Sequence, residues 1–178
     1  MKASIAALAL AALVAASAAA QPAPALKPAL AGLGFLAGDW KGRDGKVDDV
    51  PGGRSQGGSQ ITVESDGAAL LRRDHTEVFD AHGKQINAFH QTMLIYPEGE
   101  ALHADFADGE GHVIHYVSAT VTPGRSVVFH GAVQPGAPTF RLSYELSAPD
   151  ALTVDFGMIP PGATEVRRIA TGTLRRVR

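Results

Sequence analysis

From Trp40 to the C-terminus, short runs of alternating apolar and polar residues are cut by turn signals about every ten residues. His82-Gly83, Pro97-Glu98-Gly99, Asp108-Gly109, Pro123-Gly124, Pro135-Gly136, Pro149-Asp150 and Pro160-Pro161-Gly162 all punctuate in this way. A spacing of two puts alternate side chains on opposite faces of a strand, and no segment carries a sustained helical stripe. The expected strands are Asp39–Arg43, Ser59–Glu64, Ala69–Asp80, Gln85–Tyr96, Ala101–Ala107, His112–Val121, Ser126–Gly131, Thr139–Leu146, Ala151–Phe156 and Glu165–Val177. The Gly-rich stretch Gly45–Gly58 reads as a long mobile loop. Short connections make neighbours in sequence neighbours in space. The chain is therefore expected to be all-β, an antiparallel up-and-down barrel of about ten strands, which leaves no exposed sheet edge. A barrel of that size encloses a cavity rather than a filled interior.

The N-terminus reads differently. Lys2 is followed by an apolar run from Ile5 to Ala16, and Ala18 and Ala20 stand as an A-x-A cleavage site before Gln21. The run is too short for a permanent span and matches a secretory signal peptide. Residues 1–20 are thus expected to be removed, residues 21–31 to form a Pro/Ala-rich leader, and residues 32–178 to form one barrel domain. Leu30 to Leu36 has room for a short helical turn. The expected location is periplasmic or extracellular, without a permanent membrane span. The chain has no Cys, which excludes disulfides, thiol chemistry, a zinc–thiolate site and cysteine lipidation. Sixteen basic residues against eighteen acidic ones argue against a nucleic-acid binder.

Phe35-Leu36-Ala37-Gly38-Asp39-Trp40-Lys41-Gly42 resembles the G-x-W signature that opens the barrel of calycins, the group of lipocalins and fatty-acid-binding proteins. The resemblance implies that Trp40 seals one barrel end and that a basic residue of the last strand, Arg175 or Arg176, packs across it. More narrowly, the chain is similar to lipocalin-like domains of secreted bacterial proteins. It also resembles, more distantly, nitrobindin-like haem domains, which open on the same Gly-x-Trp strand. That second resemblance implies a haem-ligating His near the C-terminus. Arg167-Arg168-Ile169 stand at that place, and no His follows His130, so no cofactor is expected.

All seven histidines lie between residues 75 and 130. With His82-Gly83 as a two-residue hairpin loop, Phe79 pairs with Ile86, Glu77 with Ala88, His75 with His90, Arg73 with Thr92 and Leu71 with Leu94. This face mixes apolar residues with a few polar ones, as ligand pockets do. It is the expected inward face, with Arg73, His75, Glu77, His90 and Tyr96 as pocket groups. The opposite face, with Leu70, Asp74, Thr76, Val78, Phe89, Gln91 and Met93, is mixed too, and a slip of one residue exchanges them. His115 shares its face with Val113 and Val117 and is expected inward, as a sixth ligand-binding candidate. Asp105 is expected opposite His112 as a solvated charge pair. His112 and His115 point to opposite faces and cannot chelate one ion together. No G-x-S-x-G elbow or phosphate-binding glycine loop occurs.

These features describe an exported binding protein whose partner is a small apolar or amphipathic molecule with a polar or acidic end. The alternatives from other classes are an enzyme of the same architecture, an isomerase or haem-dependent detoxifier using a pocket His or Glu, and a structural envelope protein with a packed barrel.

Overall fold

The computed structural model describes residues 24–177, so the expected signal peptide lies outside the described residues. Ten antiparallel strands form the fold: β1 (Gly38–Val47), β2 (Gly53–Glu64), β3 (Ala69–Phe79), β4 (Gln85–Glu98), β5 (Ala101–Asp108), β6 (Val113–Thr122), β7 (Ser126–Gly131), β8 (Thr139–Ala148), β9 (Ala151–Ile159) and β10 (Arg167–Arg176). Each strand pairs with its neighbours in sequence, and β1 pairs with β10, which closes the barrel. The all-β up-and-down barrel expected from the turn spacing is the observed architecture.

Leu30 begins no turn of its own; the helical turn is a 3-10 helix over Pro28–Leu36. Pro28 stands in its first turn, where a missing N–H costs nothing. Leu30, Leu33 and Leu36 recur every third residue, share one face of a three-residue turn and are completely buried in the barrel end. The Lys27 N–H donates to the Gly67 carbonyl at 2.9 Å, and the Gly124 N–H to the Gly32 carbonyl at 2.8 Å, so this plug is stitched to the loops around the rim.

Above the plug, Trp40, Ile61, Leu70, Met93, Ile95, Val127 and Leu152 fill the barrel from wall to wall. The Trp40 Nε1–H donates to the Leu36 carbonyl at 2.8 Å, so the indole's one polar atom is satisfied inside the core. Arg176, not Arg175, packs across the indole, with its guanidinium 4.1 Å from the ring centre. Its two terminal nitrogens donate to the carbonyls of Ala37 and Phe35 at 2.6 and 2.9 Å. Arg175 faces out toward Asp150.

The stretch expected as a mobile loop is mostly strand. β1 runs on to Val47 and β2 starts at Gly53, leaving only a tight turn between them. The glycines there serve the curvature of the wall rather than a loop. The pairing of β1 with β2 shifts between Gly42 and Gly45, and a Cβ on Gly57 would lie 2.0 Å from the His75 carbonyl oxygen. Glycine in a strand marks such close backbone approach.

Candidate functional site: a half-open cavity over a buried ion pair

The half of the barrel away from the plug is not filled. It holds a cavity of about 650 Å³, a volume that suits a small organic ligand. Phe106, Ile114, Phe140, Leu142, Val154 and Phe156 make its apolar wall. The polar groups come mainly from β2 to β6.

On β3 the inward residues are Leu70, Arg72, Asp74, Thr76 and Val78. Leu70 belongs to the packed end, and the others line the cavity. Arg72 is only 4% exposed. One terminal nitrogen meets Asp74 Oδ2 at 2.9 Å, and the other donates to the Tyr144 hydroxyl and lies 3.6 Å from the Met93 sulfur. Its guanidinium carbon stands 5.7 Å from the Phe106 ring centre. Burial is the largest single influence and works to lower the Arg72 pKa, but Asp74, Tyr144 and Tyr116 together outweigh it and the value is raised, so the guanidinium stays charged. The Asp74 carboxyl is pushed up by burial, with the Arg72 charge acting against that push. Burial raises the Tyr144 and Tyr116 hydroxyls as well, so both remain neutral donors.

Strand pairing extends this cluster sideways. Ser59 on β2 pairs with Asp74, Asp74 with Gln91 on β4, and Gln91 with Asp108 on β5. Residues directly opposite in a ladder share a face, so the four form one polar row across the cavity wall. Among the described residues, three buried polar side-chain atoms have no hydrogen-bond partner: Ser59 Oγ, Arg72 Nε and Asp74 Oδ1. All three belong to this cluster. Unpaired buried polar atoms cost on the order of 1–3 kcal/mol each, which makes their concentration at one place in a cavity wall informative.

At the open end, the β5–β6 turn is braced by Asp108. Its Oδ1 accepts the N–H groups of Glu110 and His112 at 3.0 and 2.9 Å, and its Oδ2 lies 2.9 Å from His112 Nδ1. Burial pushes the Asp108 carboxyl up, yet these hydrogen bonds win and its pKa is lowered, while that of His112 is raised. Glu110 accepts a 2.7 Å bond from Asn87 on β4, which ties the turn to the neighbouring rim. Asp108, Glu110 and His112 lie close enough to share an ion; both Asp108 oxygens and His112 Nδ1 serve the turn, and one Glu110 oxygen accepts from Asn87.

The six pocket residues expected from the sequence lie on the outer face. The register expected for β3 and β4 is correct through most of the ladder, with His75 opposite His90 and Glu77 opposite Ala88. What is inverted is the face. Arg73, His75 and His90 are exposed, and Glu77 bonds Gln56 and His75 across the outer surface. The rings of His75 and His90 meet each other at 4.8 Å outside the barrel; His75 borders the cavity only beside the side-chain-free Gly57 and Gly58. Phe79 pairs with Gln85 rather than Ile86 because the ladder bulges after Val78. Tyr96 donates to Asp105 at 3.0 Å, and Asp105 meets His115, not His112, at 2.6 Å. His115 is 63% exposed, because on β6 the inward residues are Ile114 and Tyr116 while Val113 and Val117 face out.

The reason is that the inward face of β3 and β4 carries the polar cluster, so both faces contain a similar apolar fraction. Two signals pointed to the right face. β5 alternates cleanly, with Leu102, Ala104 and Phe106 buried. Phe106 pairs with Met93 and Ala104 with Ile95, which puts Met93, Ile95 and through them Arg72 and Leu70 inside. The second signal is Arg72-x-Asp74, opposite charges two apart and therefore on one face.

On β10, where the nitrobindin-like resemblance calls for a haem-ligating His, Ile169 lines the cavity and Arg167 and Arg168 pair with Asp49 and Asp48 outside. That donor set does not fit haem iron held in that way. Among the described residues no helix is long and apolar enough to cross a membrane.

No protein-family model matches the chain, and no curated protein matches it. Solved structures do. The crystal structure of Rv2717c from M. tuberculosis superposes with a TM-score of 0.60 at 20% identity, covering 86% of this chain and 99% of that one. The S-type phycobiliprotein lyase CPES from Guillardia theta has a TM-score of 0.49 at 12% identity, covering 81% and 89%. A designed barrel, EF1p2_mFAP2b bound to DFHBI, has a TM-score of 0.44 at 14% identity, covering 85% and 100%. The likeness to Rv2717c is one of fold, a closed antiparallel β-barrel.

Proposed function

We propose that this chain is an exported binding protein that holds a small, mostly apolar molecule in its barrel cavity. The observation that carries the reading is the combination of a 650 Å³ apolar-walled cavity with one concentrated patch of under-satisfied polar groups. A packed structural barrel has no need of either. Burying an apolar ligand body releases about 25 cal/mol per Å² of apolar surface, and the polar patch orients the ligand's other end. The signal-peptide pattern at residues 1–20 and the chain's lack of cysteine are consistent with a carrier outside the cytoplasm that needs no disulfide.

The test uses N-phenyl-1-naphthylamine, a dye that brightens in apolar surroundings, titrated onto the purified protein. Saturable one-to-one binding is expected, together with its loss in Val154→Trp, which fills the cavity from β9. A folded protein that takes up no dye, or a Val154→Trp variant that binds as well as the parent, would sink the carrier reading.

A further inference from the structure

Resting on that carrier reading, we propose that the ligand's polar end is a hydrogen-bond donor without negative charge, an amine, amide or alcohol, and that the cavity discriminates against carboxylates. The residues lining the cavity include a single guanidinium, Arg72, no lysine, and the three carboxylates of Asp74, Asp108 and Glu110. Arg72 is not free to receive an acid. Its terminal nitrogens are taken by Asp74 and Tyr144, and its remaining Nε is sealed in the wall.

Asp74 is the more open member of the pair. Its side chain is 14% exposed against 5% for Arg72, and from the inward face of β3 that exposure opens into the cavity. A ligand carboxylate placed here would face a like charge, while the neighbouring guanidinium is already engaged by Asp74 and Tyr144. A donor meets the opposite situation. Asp74 Oδ1 and Ser59 Oγ face each other across the β2–β3 ladder, close enough for Ser59 to help hold the Asp74 carboxyl down; both atoms lie covered just beneath the cavity surface with no further partner, and Gln91 on the other side offers an amide oxygen. Ser59 is itself only 7% exposed, so its hydroxyl is part of a built wall and not a surface group. Toward the mouth, the charge remains negative through Asp108 and Glu110, with His112 the one titratable counter-charge beside them.

Displacement of bound N-phenyl-1-naphthylamine by dodecylamine, dodecanol and dodecanoate, kept below micelle-forming concentrations at neutral pH, compares three heads on one tail. Dodecylamine and dodecanol are expected to displace the dye at concentrations about tenfold lower than dodecanoate, a difference of about 1.4 kcal/mol. Asp74→Asn frees Arg72 and is expected to raise dodecanoate affinity about tenfold, reversing the order. Gln91→Glu leaves the Arg72–Asp74 pair in place and is expected to weaken dodecanoate further, so the preference is readable even if Asp74→Asn does not fold. Dodecanoate binding as tightly as the other two would overturn this inference while leaving the carrier reading standing. Absence of dye binding by the folded parent protein would end both.

Discussion

Arg176 and Trp40 close the barrel on itself: the guanidinium lies 4.1 Å from the indole centre and at the same time binds the carbonyls of Phe35 and Ala37. One side chain of the last strand thereby holds the first strand and the end of the 3-10 plug. A cation over Trp contributes about 0.5–2 kcal/mol and each charged hydrogen bond to a carbonyl about 1.5–3 kcal/mol before exposure is discounted. Arg176→Ala is expected to lower unfolding stability by about 2–3 kcal/mol and to shift the emission of Trp40, the only tryptophan, to the red. Arg176→Lys keeps the charge but loses the fork that reaches two carbonyls, so it is expected to recover less than half of that loss. Urea unfolding followed by Trp40 fluorescence measures both.

The Arg72–Asp74 pair makes a second prediction, through non-additivity. Arg72→Leu leaves a buried carboxylate without its counter-charge and is expected to cost about 3–5 kcal/mol. The double variant Arg72→Leu/Asp74→Leu removes both charges and is expected to regain most of that loss, because hydrophobic replacement of a buried ion pair is often neutral. A double-mutant cycle by chemical denaturation checks this. A double variant as unstable as the sum of the single ones would refute the coupling.

The outer histidines are expected to be spectators of binding. His75→Ala/His90→Ala removes the 4.8 Å ring contact outside the barrel, and His115→Ala removes the Asp105 pair. Neither is expected to change dye affinity by as much as twofold, and stability should move by less than about 0.5 kcal/mol. A tenfold loss of affinity in either would return these residues to the site.

The β5–β6 turn should depend on pH in a defined direction. The His112 pKa is raised above its ordinary 6.5, so its contribution is whole below 6.5 and is lost as pH rises through the higher folded value. The Asp108 pKa is lowered below 3.8, so its contribution is whole above 3.8 and is lost as pH falls through the lower folded value. Protection of the Glu110 and His112 amides from hydrogen exchange, corrected for intrinsic rates, is therefore expected to be greatest between those two values. His112→Ala should abolish the decline on the alkaline side and leave the acid side in place.

Gly57 sets the approach of β2 to β3. A methyl group there meets the His75 carbonyl oxygen at 2.0 Å, a backbone atom that cannot move aside alone. Gly57→Ala is expected to destabilise by about 1–3 kcal/mol, whereas Gly99→Ala, at an open turn with positive φ, should cost about 1 kcal/mol from the left-handed backbone alone. Thermal melts of the two variants, side by side, separate close approach from turn strain.

Strand number, order and closure were legible in the sequence because turn chemistry and period-two alternation are local properties. The Trp40 seal was legible only through the resemblance of the G-x-W strand to calycins, which implies a basic partner on the last strand and leaves Arg175 and Arg176 equal; the barrel chose Arg176. The face of β3 and β4 was not legible from those strands alone. Period-two patterning identifies a buried face by its lack of polar residues, and here the inner face holds Arg72, Asp74 and Gln91. On β6 the exposed valines Val113 and Val117 obeyed strand propensity rather than burial and misled in the same direction. Only the closed barrel decided the matter. Closure forces every strand to turn the same side inward as its neighbours, so the clean alternation of β5 passes its phase to β4 and β3, and a polar cluster that looks like surface in one strand becomes the wall of a cavity.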